Sequence, residues 1–95
     1  MKKIDYLDAY DYVRQVLRNV TSFQNIRRDD DLRGKPRLGL DNTSLKAVRI
    51  AMLARFDDVN PDKKKFNVSA VQGCKTPEDL LKAIWGAIPA ANKLP

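Results

Sequence analysis

The sequence predicts a small all-α bundle of three to four helices with one long loop between the first two. Three observations carry that reading. Apolar residues recur at three- and four-residue steps in three separate stretches. Thr76-Pro77-Glu78-Asp79 is a strong helix-start signal. No two stretches alternate and pair in the manner of a strand hairpin. A chain of 95 residues, 43% hydrophobic, suits one domain with one core, and residues 1–95 are read as that single domain. The ordered part is expected over about 5–88, with 89–95 frayed.

Residues 5–20 form the first amphipathic segment. Leu7, Tyr10, Val13, Val16, Leu17 and Val20 make its expected apolar stripe. Asp5 suits the N-cap, and Asp8 adds negative charge to the first turn, where the helix dipole favours it. The connection from 21 to 41 contains Gly34, Pro36 and Gly39 and the charge run Arg27-Arg28-Asp29-Asp30-Asp31. Loops this long inside a small domain are uncommon and often functional. Phe23, Ile26, Leu32, Leu38 and Leu40 should pin it to the core.

Residues 43–56 form the second helix, with Leu45, Val48, Met52 and Phe56 as its buried stripe and Ala51 helping. Between Ser44 and Phe56 there is no acidic residue. Asn60-Pro61-Asp62 reads as a turn or helix start, opening a short helix near 61–72 that ends at Gly73. Val68-Ser69-Ala70-Val71 also suits an extended piece. In the last helix Thr76 caps, Pro77 takes the first position and Asp79 closes a capping-box pattern. Leu80, Leu81, Ile84, Trp85 and Ile88 follow as core, and Pro89 stops the helix.

The net charge is +6 and is concentrated between 27 and 65, whereas the two ends are close to neutral. A basic middle suits nucleic acid, a membrane surface or an acidic protein, or is simply a solvated surface. Histidine is absent, which excludes a histidine-based triad and removes the commonest metal ligand. The single Cys74 permits no internal disulfide and predicts a reducing, cytoplasmic setting. It reads as an inert thiol, since nothing basic is paired with it in sequence. Asp29-Asp30-Asp31 lacks the spacing of an oxygen-ligand metal loop, so no metal is expected there. No apolar run is long enough to span a bilayer, and the start does not read as a secretory leader.

The order of motifs resembles the acyl carrier protein family, whose members serve fatty acid, polyketide and nonribosomal peptide synthesis. That family has a helix, a long loop, then Leu-Gly-x-Asp-Ser-Leu opening the second helix. A Phe-Asp-x-x-x-Pro-Asp stretch, a short third helix and a last helix follow. Here the matching pieces are Leu38-Gly39-Leu40-Asp41, Ser44-Leu45, Phe56-Asp57-Asp58-Val59-Asn60-Pro61-Asp62 and Thr76-Pro77-Glu78-Asp79-Leu80-Leu81. With the order of helices, the resemblance spans most of 7–88.

The resemblance implies a non-enzymatic protein that presents an acyl or aminoacyl thioester on a 4'-phosphopantetheine arm. Its partners would be a phosphopantetheinyl transferase and carrier-dependent enzymes, and it would be monomeric. The attachment residue depends on register. With a two-residue insertion, Asn42-Thr43, it is Ser44; without a gap the position falls on Asn42, which has no hydroxyl, and the arm is lost. The structural alternative for Ser44 is an ordinary N-cap or first-turn residue, and Asn42, Thr43 and Ser44 are all candidates for that role. Partner recognition would fall on Leu45, Lys46, Val48, Arg49 and Arg55. Carriers are typically acidic on this helix; Lys46, Arg49 and Arg55 would select acidic partners instead. The competing reading is a small basic helical module that binds nucleic acid or protein. The aromatic content of 7% weighs against a nucleic-acid binder, and the long first loop against a helix-turn-helix.

Overall fold

Asp5 starts the first helix: its carboxylate accepts the backbone N–H of Asp8 at 2.7 Å. In the computed structural model, which describes residues 3–34 and 38–94, α1 runs Tyr6–Thr21 and ends at Ser22 in the left-handed region. Its buried face is Ala9, Tyr12, Val13, Val16 and Leu17. This corrects the stripe expected from the large aliphatics alone. Leu7 lies on the far side of the helix and is 64% exposed, because Ala9 and Tyr12 hold the core positions at the 3.6-residue period. Tyr10 and Val20 are half-buried.

α2 spans Asn42–Arg55, α3 Val68–Gln72 and α4 Pro77–Ala87. Short 3-10 turns occupy Asp57–Val59 and Ala90–Asn92. Among the described residues no strand forms, and the sole bridge joins Ile4 to Lys93 in parallel. α2 packs on α1 and α3, and α1 packs on α4. Leu45, Val48, Met52 and Phe56 are all fully buried, as their spacing predicts. Phe66, Leu80, Leu81 and Ile84 meet them from α4 and the α2–α3 connection. Each such side chain contributes about 1.5–3 kcal/mol by leaving water.

The first loop is part of this core. Ile26, Leu32, Leu38 and Leu40 are buried. Leu32 donates its N–H to the Lys75 carbonyl at 2.9 Å, and Leu40 donates to the Leu32 carbonyl at 2.8 Å. Gly39 sits at φ 53°, a backbone that glycine adopts without cost. Lys35, Pro36 and Arg37 lie outside the described residues.

Two further expectations are corrected. The third helix begins at Val68, not near Pro61. Pro61 is buried, and Asp62 donates its N–H to the Ala87 carbonyl at 2.7 Å. The Asp62 carbonyl then closes a turn over Lys63–Lys65, so Asn67 becomes the cap of α3. The expected frayed tail is also tied down. Ile4 donates to the Asn92 carbonyl at 3.0 Å, and Leu94 donates to the Ile4 carbonyl at 2.9 Å. Asn92 is buried, with Nδ2 donating to the Val59 carbonyl at 2.9 Å. α4 has the expected capping box between Thr76 and Asp79. Trp85 is half-buried and meets the edge of Tyr6 at 5.2 Å between centroids.

Candidate binding surface on the second helix

The start of α2 is organised by Asp41. It is the N-cap, so Asn42 is the first helical residue and Ser44 the third. None of Asn42, Thr43 and Ser44 is the cap; the aspartate one step earlier takes that role. The Asp41 carboxylate accepts the Ser44 backbone N–H at 2.7 Å. That bond first, and then the nearby Ser44 side chain, hold its pKa below the usual aspartate value.

Asn42 sits in a network of its own. Its Oδ1 accepts Arg33 Nη2 at 2.6 Å. The same Arg33 nitrogen donates to the Gln72 carbonyl at 3.0 Å, and Gln72 Nε2 donates to the Asn42 carbonyl at 3.3 Å. These bonds link the first loop and the end of α3 to the start of α2. A phosphopantetheine arm needs a hydroxyl presented at this end. Asn42 has none. Ser44 has one, on a half-buried residue two positions further along. The residue directly after Asp41 therefore does not fit the arm.

The expected recognition residues divide into two groups. Leu45 and Val48 are fully buried and belong to the core, so they offer no surface to a partner. Lys46 is exposed. Arg49 donates from Nε to the Phe66 carbonyl at 2.7 Å and from Nη2 to the Lys63 carbonyl at 3.3 Å. Arg55 donates from Nε to Gln15 Oε1 at 3.0 Å and lies 3.5 Å over the Tyr12 ring. Both guanidiniums are thus held by neutral groups.

α2 also has an apolar outer face. Ala47, Ile50 and Ala54 stand exposed opposite the core stripe, with Ala51 beside them, and Ile50 is 66% exposed. Open grooves run along both sides of this ridge. One, of about 350 Å³, is lined by Arg49, Ile50, Leu53, Ala54, Asp57 and Lys63. The other, of about 500 Å³, is lined by Gln15, Val16, Asn19, Ala51, Ala54 and Arg55. A readable signal was present: Ala47, Ile50, Ala51 and Ala54 follow their own i, i+3, i+4, i+7 pattern, so α2 is apolar on two faces.

The remaining groups have structural roles. Asp30 Oδ2 accepts the Arg27 N–H at 2.8 Å and Asp31 Oδ1 the Arg33 N–H at 3.0 Å, which shapes the loop. Among the described residues no group of three or more His, Cys, Asp or Glu is arranged to hold a metal. Cys74 is buried, and burial, with a smaller push from Asp79, raises its thiol to about 11. It is no nucleophile near neutral pH. Among those residues, too, no helix is long and apolar enough to cross a membrane. No protein-family model matches this chain, and no curated protein and no solved structure matches it.

Proposed function

We propose that this chain is a non-enzymatic, monomeric binding module with the carrier-like order of helices and without the phosphopantetheine arm. One observation carries the reading. The position directly after the capping Asp41 is Asn42, whose amide is tied to Arg33 and whose carbonyl is tied to Gln72. The ungapped register also keeps Val48, Met52 and Phe56 in the core, where they are found. The basic charge on α2 favours acidic partners over the basic enzymes that acidic carriers meet. A reducing, cytoplasmic setting fits the single free thiol.

The test is an intact mass after incubation with coenzyme A and a broad-specificity phosphopantetheinyl transferase, with Ser44→Ala alongside. The expected result is no gain in mass for a folded protein. A gain in the parent that disappears in Ser44→Ala would overturn the reading. It would make Ser44 the attachment residue and the chain a carrier that presents acyl or aminoacyl thioesters to partner enzymes.

A second reading rests on the exposed Lys63-Lys64-Lys65 turn, which suits phosphate contacts to nucleic acid. It requires binding to duplex or single strands that weakens steeply as salt rises. Absence of binding at low salt removes it.

A further inference from the structure

We infer that the outer face of α2 is a docking site for an acidic amphipathic helix of a partner protein. The inference rests on the arm-less reading, since it makes α2 a surface for contact and not a mount for a prosthetic group. Ile50 supplies the anchor. It is 66% exposed at the middle of a helix whose other large apolar residues are buried or half-buried. It lines a groove of about 350 Å³, and a second groove, of about 500 Å³, lies beyond Ala51 and Ala54 on the other side of the ridge. Ala47, Ala51 and Ala54 keep the ridge low, so a partner backbone can approach closely and set its own apolar side chains into both grooves. That is the helix-in-groove mode, with anchors at three- and four-residue steps.

Charge selects the partner. Lys46 and Arg49 stand on one flank of the ridge with Lys63 across the first groove, and Arg55 stands on the other flank. Asp57, at the end of the first groove, is the single acid among the lining residues of either. Arg49 and Arg55 already have fixed orientations, and the groups that fix them are two backbone carbonyls, one amide and one aromatic ring. Their positive charge is therefore left for an incoming carboxylate, and little side-chain freedom is lost when it arrives. An apolar stripe rimmed by glutamate or aspartate complements this surface, and a lysine-rimmed stripe is repelled by it.

The probe is a synthetic amphipathic peptide with leucines at three- and four-residue steps and glutamates on its polar face. Its controls are the same peptide with lysines for glutamates and one with scrambled leucine spacing. Amide chemical shifts of the full chain are followed by NMR. The expected result is saturable shifts centred on Ala47, Ile50, Leu53 and Ala54 with the acidic peptide alone. Ile50→Ser should weaken binding about tenfold or more, as loss of a central anchor does. Leu7→Ser, which changes an equally exposed side chain on α1, should leave binding unchanged. No shift at Ile50, equal binding by the lysine or scrambled peptide, or full binding by Ile50→Ser would each overturn the inference. So would a concentration-dependent dimer that Ile50→Ser dissolves, or duplex DNA producing the same shifts. The mass measurement on Ser44 is independent, so failure here leaves the arm-less reading standing.

Discussion

Asp41 and Ser44 close the first turn of α2 on each other: the aspartate carboxylate accepts the backbone N–H of the serine at 2.7 Å. The backbone bond satisfies one of the orphan donors at the helix start, and the negative charge suits the positive end of the dipole. Asp41→Ala should lower the melting temperature clearly, whereas Asp41→Asn, which can still cap, should lower it little. Ser44→Ala leaves the backbone bond to Asp41 in place and should have the smallest effect of the three. If Ser44→Ala proved the most damaging, the hydroxyl would have a role that this geometry does not give it.

Two carboxylates make stability depend on acid. Asp41 is lowered by the Ser44 N–H and then by its hydroxyl; Asp79 is lowered first by the Lys75 N–H, and by Thr76. A lowered folded-state pKa gives stability that is complete above the unfolded value, 3.8 for both, and lost as pH falls through the folded one. Urea midpoints should therefore be level from pH 7 to about 5 and drop below about 4. The double variant Asp41→Asn, Asp79→Asn should flatten that drop while retaining most of the stability at pH 7. An undiminished drop would assign the acid sensitivity to other carboxylates.

Leu32 tests whether the first loop is a connector or a structural element. It is fully buried, and its N–H and carbonyl bond to Lys75 and Leu40. Leu32→Ala should cost about 2–5 kcal/mol in urea unfolding, the range for a large-to-small core change. A cost near zero would mean that the loop moves independently of the helices.

Cys74 gives a chemical readout of packing. Its buried thiol donates weakly to the Ala70 carbonyl at 3.2 Å and ionises only near pH 11. A disulfide-exchange reagent at pH 8 should label it slowly in the native protein and rapidly in urea. Because the folded pKa is raised above 9.0, stability is complete below that value and falls as pH rises toward 11. Rapid native labelling would show that the α3–α4 connection opens readily.

Much of the fold was legible because its signals are local. Asp5, Thr76 and Asp79 cap helices through bonds within three residues of sequence. The stripe from Leu45 to Phe56 has the period of one buried face. What was missed depends on contacts made at a distance. The α3 start moved because Asp62 reaches Ala87, and Leu7 was misassigned because the small Ala9 and the polar-tipped Tyr12 took the core positions. At the candidate site, the basic residues of α2 were readable, but their anchors at Phe66, Lys63 and Gln15 were not. Three capping-type residues follow Asp41, and sequence alone did not rank the aspartate above them. The exposed Ile50 is hard to read from sequence because the stripe from Leu45 to Phe56 already accounts for the helix.

The C-terminal segment is the sharpest test of what sequence left out. Residues 90–94 have few large side chains, yet they close the molecule: Asn92 bonds Val59 by its side chain and accepts from Ile4 through its carbonyl. Ile4 itself is 1% exposed and needs this segment as cover. Asn92→Ala strands the buried Val59 carbonyl and should cost about 1–3 kcal/mol. Removing residues 90–95 should cost more, because it also uncovers Ile4, whose burial contributes about 1.5–3 kcal/mol. Hydrogen exchange distinguishes the two effects. Asn92→Ala should leave the Ile4 and Leu94 amides protected, whereas truncation should release Ile4 and expose the turn at Asp57–Val59. Equal protection in the truncated and full chains would mean that the tail adds nothing, and that Ile4 is held by α1 and α4 alone.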